Sequence, residues 1–160
     1  MRMLFWEAIE YHATRAFLER LKRSGIILSE ISTHFQIAKD RKEESSIYDA
    51  KVVEVDIYGV NEKYCLIGKV SLYITLTEIE KLKEEVEILR KYAPEKLRPK
   101  IILGLYGVKI FKDAEEEARK NNIWLIRVDY ERDEDDEENL RSRQTEEEEI
   151  VPLTEILQNL

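Results

Sequence analysis

Residues 52–75, VVEVDIYGVNEKYCLIGKVSLYIT, constrain the fold more than any other stretch. Val52, Val53, Val55 and Ile57 are β-branched, and Glu54, Asp56 and Tyr58 alternate with the last two at period two, the pattern of a half-buried strand. Glu54 and Asp56 therefore project from one strand face, about 7 Å apart. Gly59-Val60-Asn61-Glu62 supplies turn residues that accept unusual backbone angles. A second strand is predicted from Lys63 to Thr75, with Lys69, Ser71 and Tyr73 on one face. Antiparallel pairing of the two runs brings Asp56 near Lys69 and Ser71.

The surrounding pattern is that of an α/β domain. Leu4 to Arg23 is a predicted helix: Phe5, Ile9, Ala13, Ala16 and Phe17 make one apolar stripe, Leu18 and Leu21 widen it, and Ser24-Gly25 ends it. Residues 30–39 fit both periods, but Ile31, Thr33, Phe35 and Ile37 alternate and are rich in β-branched and aromatic types, which favours a strand pairing with 51–58 across a polar loop at 40–46. That strand leaves His34 exposed. Thr77 to Tyr92 is a helix on the spacing of Ile79, Leu82, Val86 and Leu89, with Thr75 or Thr77 as cap. An apolar strand at 100–108, a helix at 111–121 and a strand at 123–128 complete the order, which implies parallel pairing with right-handed crossovers.

Composition separates the two ends of the chain. Net charge is −8, and residues 130–149 alone hold eleven carboxylates against three arginines, so this stretch carries the whole excess. With Leu140 as its one aliphatic residue before Ile150, it reads as a flexible tether or a charged helix extension. Leu153, Ile156, Leu157 and Leu160 then form an apolar stripe, predicting a short helix within 150–160 that docks on its own domain or on a second copy. The neutral remainder lacks the basic footprint typical of DNA binders, although Lys96, Arg98 and Lys100 cluster between Pro94 and the next strand. The lone Cys65 cannot form an internal disulfide, and a core role in a reducing compartment is expected. Neither a membrane span nor a signal peptide is legible, so a cytoplasmic location is the expectation. A 38% charged composition with few glycines and prolines is the kind that hyperthermophile proteins favour.

Phosphate-binding glycine loops, paired-cysteine zinc spacings and nucleophile elbows are absent from the sequence. What the central run does resemble is the PD-(D/E)XK nuclease superfamily, in particular its small archaeal, Holliday-junction-resolvase-like members. These read as an acidic N-terminal helix, an aspartate on one strand, a turn, and E-x-K on the next strand. The aspartate matches Asp56 in Val53-Glu54-Val55-Asp56-Ile57-Tyr58, and Leu66-Ile67-Gly68 matches the lead-in to the second motif. The resemblance covers residues 1–129 in layout and implies a restriction-endonuclease-like mixed sheet flanked by helices. Residues 130–149 then form the acidic linker and 150–160 the docking helix. It also implies a glutamate on the first helix, Glu7 or Glu10, that completes a metal site with Asp56 and, by proximity, Glu54.

The second motif departs from the family. Lys69 stands where the glutamate belongs and Ser71 where the lysine belongs. In active members the two acids hold a divalent cation such as Mg²⁺ and the lysine helps position the attacking water. An ammonium at an acid position reverses a charge worth about 4 kcal/mol at 4 Å and an effective dielectric near 20, and pairing of Lys69 with Asp56 is the expected outcome. The leading expectation is thus a degenerate, inactive site at Asp56, Lys69 and Ser71, without cofactor, in a domain that binds a protein partner or forms a homodimer. The alternatives are a Mg²⁺-dependent deoxyribonuclease whose ligands have migrated to Glu54, Asp56 and Glu7 or Glu10, and a non-catalytic nucleic-acid-binding module using Lys96, Arg98 and Lys100. A Ser71–Lys69 nucleophilic dyad is geometrically conceivable but lacks a visible oxyanion hole.

Overall fold

The computed structural model describes residues 2–38, 52–129 and 146–160. The elements run α1 (Arg2–Arg23), β1 (Glu30–Ala38), β2 (Val52–Val60), β3 (Tyr64–Ile74), α2 (Leu76–Tyr92), a 3₁₀ turn (Pro94–Lys96), β4 (Lys100–Ile110), α3 (Lys112–Lys120), β5 (Ile123–Asp129), β6 (Glu146–Val151) and α4 (Leu153–Gln158). The six strands form one mixed sheet in sequential order. β1–β2 and β2–β3 are antiparallel, β3–β4 and β4–β5 parallel, and β5–β6 antiparallel. The expected α/β class is therefore present. The polar loop predicted at 40–46 lies outside the described residues.

Side-chain alternation along β3 separates the two layers. Gly68 faces α1, where an added Cβ would stand 3.2 Å from the Phe17 ring. Its neighbour Lys69 faces the other way and bonds Glu85 of α2. Gly68 and Gly104 are register partners, as are Gly104 and Trp124. Phe17 thus lies in a trough of two paired glycines and packs edge-on against Trp124, with ring centroids 4.9 Å apart. A Cβ at Gly104 would come within 2.7 Å of Phe17 Cε1. The trough lets α1 approach the sheet closely, and Glu10 of α1 reaches His34 on β1.

α2 begins at a capping box: Thr77 N–H donates to Thr75 Oγ1, while the Thr75 N–H donates 2.9 Å to Glu78 Oε2. Ile79, Leu82, Val86 and Leu89 are buried, as their spacing requires. No helix among the described residues is long and apolar enough to cross a membrane.

The linker expected over 130–149 does not extend to 146–149, which form β6; residues 130–145 lie outside the described residues. Four consecutive glutamates make a poor tether here because alternation gives two of them inward partners. Glu147 accepts from the Tyr106 hydroxyl at 2.6 Å and pairs with Arg20 at 3.1 Å. Glu149 pairs with Arg20 at 3.0 Å and accepts from Trp124 Nε1 at 3.1 Å and the Leu153 N–H at 2.8 Å. Outward-facing Glu148 meets Arg127 on β5. The C-terminal helix docks on its own domain, with Leu153 and Ile156 buried in the common core and Asn122 Nδ2 donating to Ile156 O at 3.0 Å.

Candidate active site

β2 and β3 pair from Val60↔Cys65 to Ile57↔Gly68. Continuing that register sets Asp56 opposite Lys69, on the face that looks toward α2. Beyond this point the strands are held by a side chain: Asp56 Oδ2 accepts the Val70 N–H at 2.9 Å. This bond fixes the orientation of a carboxylate that is only part exposed. Burial pushes the Asp56 carboxyl above its ordinary range; the Val70 N–H and Lys69 pull it back, and Glu54 adds repulsion.

Lys69 does not neutralise Asp56 by pairing with it. Its ammonium bonds Glu85 Oε1, with side-chain exposures of only 20% and 12%. Burial likewise pushes Glu85 up, with the Lys69 bond opposing and the charge of Asp56 adding to the rise. Asp56, Glu85 and Lys69 therefore form one electrostatic unit drawn from β2, α2 and β3. The second acid of this unit comes from a helix, where the strand motif has none.

α1 and β1 close the other side. His34 Nε2 bonds Glu10 Oε2, and Nδ1 stands 3.4 Å from Glu54 Oε1. Thr33↔Ile57 and Phe35↔Val55 flank His34, so it faces Asp56 across the β1–β2 pair. Its backbone has φ of 57°, a left-handed conformation inside a strand. Such a conformation costs about 1–3 kcal/mol for a non-glycine residue and collects at functional sites. The bond to Glu10 is the main reason the His34 imidazole titrates above its usual range; burial opposes it, and Glu54 and Asp56 add to the rise.

Two carboxylate oxygens, Glu10 Oε1 and Glu85 Oε2, are buried without a hydrogen-bond partner among the described residues. An unsatisfied buried acceptor costs about 1–3 kcal/mol, more when charged. Asp56 and Glu85, close enough for the charge of one to raise the other, offer the oxygen donors that a hard dication requires, with Glu54 on the Asp56 strand face. The residues present thus fit a divalent cation.

The remaining predicted residues are placed elsewhere or otherwise engaged. Ser71 Oγ donates to Tyr73 O at 2.8 Å, so no Ser71–Lys69 dyad forms. Glu7 is exposed, and it is Glu10, one helical turn on, that reaches His34. Arg98 donates to the carbonyls of Asn61, Glu95 and Leu97 and holds the β2–β3 turn. Lys96 lies 5.8 Å from the centre of the Tyr58 ring, and Lys100 Nζ reaches Leu160 O at 3.3 Å. That end of β3 is about 17 Å from Lys69 at the usual rise per residue, so the three cations do not join the acidic unit.

Sequence reasoning missed Glu85 and His34. Glu85 lies three residues after Leu82 and four before Leu89, inside the apolar stripe of its helix, and a carboxylate there was the available signal. For His34 the signal lay in the register of the expected pairing of 30–39 with 51–58, which sets it opposite Asp56.

A family model described as a domain of unknown function (DUF8196) matches residues 35–135, a span that holds Glu54, Asp56, Lys69 and Glu85 and begins one residue after His34. No curated protein and no solved structure matches the chain.

Proposed function

The chain belongs to the DUF8196 family, whose description assigns no activity, and from its site we propose a divalent-cation-dependent phosphodiesterase acting on nucleic acid, on a restriction-endonuclease-like fold. The fold half of the proposal is supported by the order helix, antiparallel three-strand meander, helix, parallel strand. It is also supported by the position of Asp56 at the point where β2 and β3 part. The observation that carries the activity is the Lys69–Glu85 pair beside Asp56. Together they return to one place the two acids and the lysine that the strand motif alone lacks.

A cation bound at Asp56, with Glu85 beside it, would polarise a phosphate and lower the pKa of its water. The chain's own groups do the rest. The Val70 N–H fixes the Asp56 carboxylate so that its geometry does not depend on a ligand. Glu85 holds the Lys69 ammonium against the site, where its charge stabilises negative charge developing on a phosphoryl group. The Lys69 and Glu85 side chains are mostly buried, which strengthens each of these interactions.

The test is cleavage of branched, single-stranded and duplex DNA with Mg²⁺ or Mn²⁺, by the wild type and by Asp56→Ala. Cation-dependent cleavage that falls about 100-fold or more in the variant is the expected result. A folded wild type with no cleavage under any of these conditions overturns the reading and returns the domain to a non-catalytic binding or self-assembling module.

A further inference from the structure

We propose that His34, Glu54 and Asp56 form a mixed nitrogen–oxygen site that selects a first-row transition-metal dication of the Zn²⁺ type over Mg²⁺, with Glu10 as the residue that orients the imidazole. The inference rests on the reading that Asp56 belongs to a cation site, and it adds the donor set and the class of ion.

Four independent features of the structure converge on it. One donor atom from each of His34, Glu54 and Asp56 lies within 4.8 Å of the others. With bonds of about 2.0–2.2 Å in a tetrahedral site, donors stand about 3.4 Å apart, the distance already present between His34 Nδ1 and Glu54 Oε1, so a closure at Asp56 seats the ion. The Nε2 of His34 is engaged by Glu10 on α1, which turns Nδ1 toward Glu54 at 3.4 Å. Metal-bound histidines are oriented in this way, by a carboxylate on the nitrogen that does not bind the ion.

The left-handed backbone of His34, φ 57°, is held in the middle of a strand whose neighbours on either side keep their pairing with β2. Among the described residues of β1 only His34, which faces Asp56, has a positive φ, so the distortion is local to the proposed donor. Finally, the second Glu10 oxygen is buried without a partner among the described residues. A hydrogen-bonded imidazole alone therefore leaves this end of α1 incompletely satisfied.

The choice of ion follows from the donors. Mg²⁺ takes oxygen ligands in a strict octahedron and keeps much of its water. An imidazole nitrogen beside two carboxylates suits Zn²⁺, Co²⁺ or Fe²⁺, and affinity for such a set rises along the first row. Cys65, the one thiol, is buried and cannot compete for the ion from solution.

The full-length chain, stripped with EDTA, is titrated calorimetrically with Zn²⁺ and separately with Mg²⁺. One Zn²⁺ per chain, bound at least about tenfold more tightly than Mg²⁺, is expected, with that preference lost in His34→Ala. The chain has two histidines, so His12 serves as an internal control in a ¹⁵N NMR titration of the unmodified protein. Zn²⁺ should move His34 Nδ1 and leave His12 in place, a readout that holds even if His34→Ala misfolds. Equal affinity for the two ions, or a His34 Nδ1 signal that ignores Zn²⁺, overturns the inference. Cleavage with Mg²⁺ but no Zn²⁺ selectivity sinks this inference alone, whereas selective Zn²⁺ binding without DNA cleavage sinks the proposed activity alone.

Discussion

Lys69 of β3 gives its ammonium to Glu85 of α2 rather than to Asp56, its neighbour across the β2–β3 pair. Both partners are mostly buried, so the pair tests separately for stability and for activity. Removing one partner strands the other: Glu85→Ala should cost about 2–4 kcal/mol in urea denaturation, because it leaves a buried ammonium without its counter-ion. Replacing both, as Lys69→Met with Glu85→Leu, should restore most of that stability. A double variant no better than the single one would show that the pair is not isolated from other charges.

Asp56→Asn should make the cation-free protein more stable at neutral pH by about 1 kcal/mol, the trade expected where a site is built for a ligand rather than for folding. The sign follows from the raised folded-state pKa. Below the unfolded value of about 3.9 both states are protonated and wild type and variant should differ little. As pH rises through the folded pKa the wild type must carry a charge that burial disfavours, and the gap should open in favour of Asn. Thermal melts of the two proteins in EDTA from pH 3 to pH 8 measure it. A gap that closes with rising pH would contradict the assignment.

Sequence and structure meet most closely along α2 and β3. A threonine cap at Thr75 or Thr77 (Thr75 in the structure), the apolar stripe Ile79–Leu82–Val86–Leu89 and the parallel crossover to β4 were legible, since each is fixed by local spacing or by connection handedness. β6 was not. Its four glutamates carry no strand signal of their own; they become strand through Arg20, Tyr106, Trp124 and Arg127. All four partners are distant in sequence. The candidate site divides the same way. Asp56 and Lys69 sit on one hairpin and their neighbourhood followed from its register, whereas Glu85 arrives from a helix whose packing angle no periodicity encodes, and the resemblance offered Glu10 only as one of two with Glu7.

The Thr75–Glu78 capping box gives an acid-side prediction. Burial opposes the charge on Glu78, but bonds from the Thr75 hydroxyl and N–H and from its own N–H together hold its pKa below the usual carboxylate range. Its contribution is complete above the unfolded value of about 4.3 and is lost as pH falls through the lowered folded value. Thr75→Ala should cost about 1 kcal/mol at pH 7 and less near pH 3, as chemical denaturation at the two pH values would show.

The trough under Phe17 predicts a strict small-residue requirement. A Cβ at Gly104 meets Phe17 Cε1 at 2.7 Å and Cζ at 3.0 Å, and the ring cannot retreat because Trp124 packs against it. Gly104→Ala should destabilise by about 1–3 kcal/mol through overpacking. Phe17→Leu in the same background should recover part of the loss, read as the shift in urea midpoint.

The central claim is that Glu85 from α2 supplies the acid that the β3 motif lacks. Mn²⁺-dependent cleavage of a branched DNA substrate, measured for the wild type and for Glu85→Gln with folding checked by circular dichroism, addresses it most directly. The account predicts a cleaving wild type and a folded Glu85→Gln variant slower by about 100-fold or more. A folded Glu85→Gln variant that cleaves at the wild-type rate, or a wild type that does not cleave at all, would contradict it.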